Sequence, residues 1–176
     1  EINHKNYDVF LKTLKYKFLD ENYKISDLFK IKKKKFIFFI DCGNPPEDDF
    51  ATNYQAGCLA IELFAGKNKI ICNSGYGKYF SSKIKSISRS TAAHSTLYLN
   101  NTSSCIFRKN KIINKIYGSS IVEKLKVIDK NYTENKECYH LNASHNGYER
   151  KFGYIHTRMI QIMKKNDKIL GTDKLK

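Results

Sequence analysis

The sequence predicts an all-β chain that folds as a large antiparallel β-sandwich. Short runs in which apolar and polar residues alternate recur from residue 22 onwards, and turn residues separate them at regular intervals. A helical spacing of apolar residues is confined to residues 8–20. Short strands with regular turns and few helices are typical of antiparallel sandwiches.

The N-terminal segment, residues 1–21, is predicted to be a connector or a short helix that follows a preceding domain, and residues 22–176 are predicted to form one domain. The helical spacing places three apolar side chains four residues apart: Phe10, Leu14 and Phe18. Because the sequence does not begin with methionine, we interpret it as a piece of a longer protein. The lack of a signal peptide therefore says nothing about where that parent protein resides.

The first predicted hairpin contains the strand that we expect at the centre of a sheet. Residues 23–31 and 35–42 are strand-like and flank Lys32–Lys35, which we interpret as the hairpin tip. Phe36–Ile40 is apolar at every position, so both of its faces are expected to be covered. Gly43–Asp49 contains both prolines and an acidic cluster, and it is predicted to be a solvated loop.

A second hairpin and a series of later strands complete the predicted sandwich. Residues 56–64 alternate and return as residues 69–72 after a turn at Gly66–Asn68. The run Ser95–Leu99 also alternates, so a strand is predicted directly after His94. Further strands are expected at residues 103–107, 111–117, 119–128, 138–144, 154–163 and 168–170.

The composition indicates a globular protein and leaves two explanations for its basic charge. The formal net charge is +15, with 41% hydrophobic residues. A basic groove would attract a polyanion such as a uronate polysaccharide or nucleic acid. Scattered lysines are also typical of an AT-rich genome, and we weigh that explanation slightly higher. Nucleic-acid binding is supported by the charge alone, so a nucleic-acid partner is not expected. No apolar run is long enough for a membrane span, so membrane insertion is not expected either.

The five cysteines are predicted to be free thiols. Their number is odd and no Cys-x-x-Cys motif occurs, which argues against a zinc ribbon or a redox motif. Cys58 and Cys72 lie in apolar strand patterns, where cysteine usually acts as a small hydrophobic residue.

His94 is the histidine that the local pattern singles out. An imidazole at the start of a rigid strand can bind a metal or transfer a proton. A core histidine that is hydrogen-bonded to the backbone is the more frequent arrangement, and the local sequence alone leaves both interpretations open.

Four stretches in a fixed order carry a resemblance to a known family. They are Gln55–Glu62 (QAGCLAIE), Ile70–Gly75 (IICNSG), Arg89–Leu97 (RSTAAHSTL), and Ala143–Tyr148 (ASHNGY) together with Ile155–Arg158 (IHTR). The chain resembles the C-terminal β-domain of the heparinase II/III-like family of bacterial polysaccharide lyases over residues 36–158. The resemblance implies a two-sheet β-sandwich and an N-terminal α/α-toroid elsewhere in the same parent chain.

The resemblance also implies a reaction, β-elimination on an acidic, uronate-containing polysaccharide, in the periplasm or cell envelope of a bacterium. A base removes the proton α to the carboxylate, a neutralising group stabilises the resulting anion, and an acid protonates the leaving oxygen. In this family the toroid carries a tyrosine and much of the remaining machinery, so the chain alone is expected to be inactive. A non-catalytic carbohydrate-binding or structural β-sandwich is the alternative.

The candidate site residues follow from these motifs. His94 is the candidate catalytic residue, and we expect its ring near Asn73 and Gln55, since antiparallel pairing of the second hairpin brings the last two to one sheet end. His156 and Arg158 alternate on one strand face, where an arginine could bind a carboxylate through two hydrogen bonds. The candidate substrate-binding residues are Gln55, Asn73, Arg89, His145, His156 and Arg158.

No cofactor is expected. The family pattern has a His-x-His pair before the Ala-Gly strand and an aspartate at the end of the next strand, which include the ligands of a structural zinc. Here Ala51–Gln55 contains no histidine, and Asn73 stands at the position of the aspartate. Since zinc usually takes four ligands from cysteine, histidine and carboxylate side chains, we predict no zinc site.

Overall fold

The computed structural model describes residues 4–15, 23–25, 27–77, 79–110, 112–114 and 120–176. Within these ranges, antiparallel strands form three sheets and helices are few, which confirms the predicted all-β class. Helix α1 spans His4–Thr13 and helix α2 spans Ser82–Arg89. No helix in the described ranges has the length and apolar composition needed to cross a bilayer.

The first sheet is a meander of five strands in the order β1-β2-β3-β4-β5. Its strands are β1 (Tyr23–Ile25), β2 (Leu28–Lys32), β3 (Phe36–Asp41), β4 (Ile61–Ala65) and β5 (Asn68–Ile71). As predicted, β3 is the central strand. Phe38 and its neighbours on the inner face are buried, whereas Phe39 on the other face is half-buried and packs edge-on against Phe64 at 6.2 Å. The expected complete cover of both faces is therefore wrong for the outer one.

The second sheet contains four long strands in the order β11-β10-β9-β8. Its strands are β8 (Val127–Glu134), β9 (Cys138–Tyr148), β10 (Tyr154–Met163) and β11 (Ile169–Leu175). A small third sheet pairs β6 (Ile106–Phe107) with β7 (Ile121–Glu123). The predicted strand at 154–163 is correct to the residue, and those at 138–144 and 168–170 are correct but too short.

The core lies between the inner faces of the two large sheets. Phe29 of β2 packs against Tyr132 of β8 with their ring centroids 5.5 Å apart, so the sheets are in direct contact. Full burial of a large apolar side chain favours folding by about 1.5–3 kcal/mol. The core residues from both sheets include Ile31, Phe36, Phe38, Ile40, Tyr139, Leu141, Ala143, Ile160 and Ile162.

The predicted strand at Ser95–Leu99 is wrong, because this segment forms a loop whose described pairing is an isolated bridge between Leu99 and Thr102. Short 3₁₀ helices, Asp48–Asn53 and Thr91–Ala93, lie on either side of the second hairpin in sequence. The Thr96 hydroxyl donates to the Cys58 carbonyl at 3.0 Å. Serine and threonine side chains that bond backbone groups in this way compete with strand pairing.

Helix α2 was not predicted. The Ser81 hydroxyl caps it by accepting from the Ile84 N–H at 3.3 Å, a frequent way to start a helix. Ile84 and Ile87 are exposed, so the helix lacks the buried apolar stripe on which a sequence prediction depends.

The remaining sequence predictions are only partly correct. The predicted strand at 23–31 is divided into β1 and β2, that at 103–107 is limited to Ile106–Phe107, and that at 119–128 is interrupted between β7 and β8, which continues to Glu134. All five cysteines are free thiols, as expected. Residues 56–60 do not belong to a strand, and β4 begins only at Ile61. Phe18 and most of the predicted strand at 111–117 fall outside the described residues, and the domain boundary at residue 22 stays a prediction.

Candidate functional site

His94 lies half-buried on the loop that follows helix α2, beside the start of β4. Its Nδ1 is 2.9 Å from the Ser90 carbonyl oxygen. A carbonyl can only accept, so Nδ1 carries the proton of the neutral ring and Nε2 keeps its lone pair. Burial lowers the pKa of the imidazole, in spite of the Ser90 bond and the Asp41 charge, which both raise it. His94 is therefore a neutral base at neutral pH.

The side chain of Gln55 faces Nε2, the unprotonated nitrogen of the His94 ring. The carboxamide lies 3.3 Å from His94 Nε2. The oxygen and nitrogen of an amide are assigned by hydrogen bonding. A neutral ring with its proton on Nδ1 favours the orientation that turns the Gln55 NH₂ group towards Nε2.

Asn73 is joined to His94 through the adjacent residue Ser95. Asn73 Oδ1 accepts from the backbone N–H of Ser95 at 2.9 Å, and Nδ2 donates to Glu62 Oε1 at 3.2 Å. The Ser95 hydroxyl lies 2.9 Å from the same Oδ1 and donates to the Ile61 carbonyl at 2.6 Å. The structure thus brings the three predicted residues together, with His94 and Gln55 in direct contact and Asn73 one residue away.

The backbone of Gly57 forms the floor beneath the His94 ring. A Cβ atom at this position would lie 2.9 Å from His94 Cδ2, which is closer than real Cβ atoms approach. The buried Thr91 hydroxyl donates to the Ala56 carbonyl at 2.9 Å and fixes the loop to the same segment. Glycine is therefore required at residue 57 for the ring to occupy its position.

Arg89 is buried, and its guanidinium is bonded to backbone carbonyls. Its Nε donates to the Tyr54 carbonyl at 2.7 Å and its Nη2 to the Ala51 carbonyl at 2.9 Å. The guanidinium also lies 4.1 Å from the ring centroid of Phe107. These contacts favour a structural role for Arg89 over its predicted contact with substrate.

His145, His156, Arg158 and Asp173 form a cluster that we call the β9–β11 network. Arg158 lies directly opposite Asp173 in the pairing of β10 with β11, and His156 lies opposite His145 in the pairing of β10 with β9. Both histidines and Arg158 are buried. The structure thus brings the other three predicted substrate-binding residues together, but inside the sandwich rather than on its surface.

The hydrogen bonds of the two network histidines run in one direction across the sheet. The Gly147 N–H donates to His145 Nδ1 at 3.0 Å, so the His145 proton is on Nε2, which lies 3.1 Å from His156 Nδ1. His156 Nε2 in turn lies 2.7 Å from Asp173 Oδ1. One proton on each imidazole satisfies the whole chain of bonds.

The network contains one base and one acid with displaced pKa values. Burial is the main cause that lowers the pKa of His145 to about 3, and electrostatic interactions with the neighbouring His156 and Arg158 lower it further. Burial raises the pKa of Asp173, but the hydrogen bonds from His156 and Arg158 and the charge of the guanidinium outweigh it and lower that pKa overall. Asp173 is therefore a carboxylate throughout the physiological range.

Asp173 was missed by the sequence prediction. The predicted strand at 168–170 ends before Asp173, whereas β11 continues to Leu175. The sequence signal was an acidic residue among exposed positions of a terminal strand, which gives no indication of its buried partner across the sheet.

Acid should weaken the fold through His145. Its folded pKa of about 3 lies below the ordinary value of 6.5, so the unfolded chain binds the proton more tightly and stability falls as pH decreases from 6.5 towards 3. At pH 5 the loss of stability relative to neutral pH is about 2 kcal/mol, because each pH unit below 6.5 costs roughly 1.4 kcal/mol. Urea unfolding at pH 7 and pH 5 should show that His145→Gln loses much less stability than the unsubstituted chain.

The control for this experiment is His140→Gln. His140 is only half-buried, and its ring is hydrogen-bonded to Gln161 outside the network. The stability difference between pH 7 and pH 5 in this variant is the reference against which His145→Gln is compared. Equal pH dependence in the His145→Gln variant and the unsubstituted chain would contradict the assignment of a neutral buried His145.

The residues at the position of the family's zinc do not fit that metal. Nδ1 of His94 is bonded to Ser90, and Asn73 offers an amide whose oxygen is already bonded to Ser95. Among the residues that the structure describes, no three His, Cys, Asp or Glu side chains are close enough to share a metal ion. The absence of zinc stays a prediction.

Comparison with known proteins identifies the family. The family model "Heparinase II/III-like, C-terminal" matches residues 20–176. The crystal structure of a mutant of the heparan sulfate lyase HepC from Pedobacter heparinus is similar, with a TM-score of 0.65 and 14% identity over 97% of this chain. This chain spans 27% of the length of that lyase. No match is found among curated proteins. The chain belongs to the heparinase II/III-like family and corresponds to its C-terminal domain.

Proposed function

We propose that this chain is the C-terminal β-domain of a polysaccharide lyase that cleaves a uronate-containing polysaccharide by β-elimination. The observation that carries the proposal is the state of His94, a neutral, half-buried imidazole whose Nδ1 is fixed by Ser90 and whose Nε2 lone pair faces Gln55. Family membership supports the reaction class. HepC is a heparan sulfate lyase, and we extend the broader substrate class, acidic polysaccharides, to the parent of this chain.

The residues of this chain would contribute the proton acceptor and one donor. His94 Nε2 takes the proton α to the uronate carboxylate, and the electron pair of that C–H bond forms the new carbon–carbon double bond. The C–O bond to the leaving sugar breaks at the β-position, and its oxygen takes a proton from an acid on the other domain. Gln55 can rotate its NH₂ group towards the substrate carboxylate and stabilise the negative charge that develops there.

The proposed partner domain is an N-terminal α/α-toroid of the same parent chain. This chain spans only 27% of HepC, and His94 with Gln55 supplies only part of the machinery for β-elimination. The net charge of +15 would attract an anionic polymer to the assembled protein. We place the parent in the periplasm or cell envelope of a bacterium, where such polymers are met.

A non-catalytic carbohydrate-binding or structural β-sandwich is the second candidate. It is favoured by the side chain of Asn73, whose oxygen and nitrogen both form hydrogen bonds within the chain, as in a structural residue. A domain that kept the fold and lost the chemistry would keep these bonds.

The parent protein should release an unsaturated uronate product from a polysaccharide such as heparan sulfate or alginate, measured by its ultraviolet absorbance. Because the working base is neutral His94 with a lowered pKa, kcat/KM should decline only below pH 6.5. The 176-residue chain alone should give no product.

The matched control is the same polymer with its carboxyl groups reduced. Without the carboxylate the α-proton is not acidic, so β-elimination should stop. A parent that binds uronate polymers without releasing product would support the second candidate. Turnover by the 176-residue chain alone would show that it contains the complete machinery.

A further inference from the structure

We propose that Arg158 is a positioning residue that holds His94, and that Asp173 and the two network histidines hold Arg158. The contact is made by one atom. Arg158 Nη1 donates to the Ser95 carbonyl at 2.7 Å and to the Leu59 carbonyl at 2.6 Å. Ser95 directly follows His94, and Leu59 lies two residues after Gly57, which touches the ring. One buried guanidinium nitrogen therefore ties together the two segments that flank the imidazole.

Asp173 fixes the other side of the guanidinium. Arg158 Nε donates to Asp173 Oδ1 at 2.7 Å and Nη2 to Oδ2 at 2.8 Å. This two-bond contact sets the plane of the guanidinium and leaves Nη1 directed at the His94 loop. His156 donates to the same Oδ1 and is itself oriented by His145, so the position of the carboxylate depends on β9, β10 and β11 together.

The backbone of Leu59 shows that this contact is maintained against strain. Leu59 has a φ of +61°, which a branched side chain rarely adopts, and its N–H donates to the Asp41 carbonyl at 2.7 Å. Backbone strain of this kind persists only where surrounding contacts fix the conformation. Here the N–H of Leu59 is bonded to Asp41 and its carbonyl to Arg158. These two hydrogen bonds fix Leu59 beside Gly57, which lies beneath the His94 ring.

A positioning role for Arg158 can be distinguished from a contact that only holds the two sheets together. Lys33 makes a comparable contact, donating from β2–β3 to the Lys164 carbonyl at 3.0 Å, but it lies at the end of β3 opposite Asp41. Loss of Lys33 should loosen the sandwich without moving His94. Replacement of the Arg158 guanidinium by the ammonium group of lysine should move His94. An ammonium group cannot keep the Asp173 contact and both carbonyl contacts in one plane.

The test is the tautomer of His94, measured by imidazole ¹⁵N–¹H correlation spectra of the 176-residue chain. The unsubstituted chain should show the proton on Nδ1. Arg158→Lys should shift the His94 ¹⁵N signals and populate the Nε2–H form, and Asp173→Asn should do so too if Arg158→Lys fails to fold. Lys33→Met should leave the His94 signals unchanged. Unchanged His94 signals in a folded Arg158→Lys or Asp173→Asn variant would overturn the proposal.

The catalytic part of the inference rests on the proposed function and has a separate readout. In an active parent protein, Arg158→Lys should lower kcat by up to about 100-fold with little change in KM, as expected for a misplaced catalytic group. A proportional rise in KM with constant kcat would contradict positioning. If the parent has no lyase activity, the proposed function fails, while the tautomer measurement still decides whether Arg158 positions His94.

Discussion

His94→Ala in the full-length parent should lower kcat by about 10²- to 10⁴-fold, the usual contribution of a general base. Melting temperature should fall by only a few degrees, because the ring is half-buried and its loss removes two neutral hydrogen bonds worth about 0.5–1.5 kcal/mol each. Activity is measured by release of the unsaturated product, and stability by thermal unfolding of the same preparation.

Two further variants sharpen the assignment of His94. Gly57→Ala keeps the imidazole but places a Cβ where the ring lies, so it should also reduce kcat. His140→Ala removes a histidine outside the site and should leave kcat unchanged. If His94→Ala instead melts far lower and its folded fraction keeps full activity, His94 is a core residue and the site assignment is wrong.

Asp173→Ala should destabilise the chain by about 3 kcal/mol. The substitution leaves the buried Arg158 guanidinium and the His156 Nε2–H without their acceptor, and breaking a buried ion pair from one side typically costs about 3–5 kcal/mol. We expect the lower end of that range because the Asp173 side chain is 31% exposed, which lets water replace part of the lost contact. Urea unfolding at pH 7 measures the difference.

The matched control for Asp173 is Asp167→Ala. Asp167 pairs with Lys33 and Lys35 at 3.7 Å and 3.6 Å, which is longer than the bonds from Arg158 to Asp173, and the Lys35 side chain is largely exposed. Ion pairs of this kind contribute about 0–1 kcal/mol. A loss of stability for Asp173→Ala no larger than for Asp167→Ala would show that the β9–β11 network contributes little to folding.

The elements that sequence reasoning placed correctly are those whose own residues decide their structure. Phe36–Ile40 and residues 154–163 form strands because their apolar residues meet a core on at least one face. Ser95–Leu99 also alternates, but its serine and threonine hydroxyls bond backbone carbonyls of other segments and prevent pairing. Helix α2 has exposed isoleucines, so its sequence carries no periodic burial signal.

The candidate site was predictable only where hairpin pairing and the family pattern brought its residues together. The approach of Gln55 to His94 was expected, and the structure places them in contact. The alternation of His156 with Arg158 correctly put both on one strand face, but alternation does not tell which face is buried. Their acceptor, Asp173, lies on another strand, and only the register of β10 with β11 reveals it.

The contact from Asp173 through Arg158 to Ser95 has a consequence for biosynthesis. Domains generally form as their chains emerge from the ribosome, N-terminal parts first. The first sheet and the His94 loop are complete in sequence long before β11 is synthesised, yet the guanidinium that holds the loop gains its carboxylate only with residue 173. The nascent chain therefore carries an unsecured His94 loop until β11 docks, and the proposed site matures only after residue 173 has been synthesised.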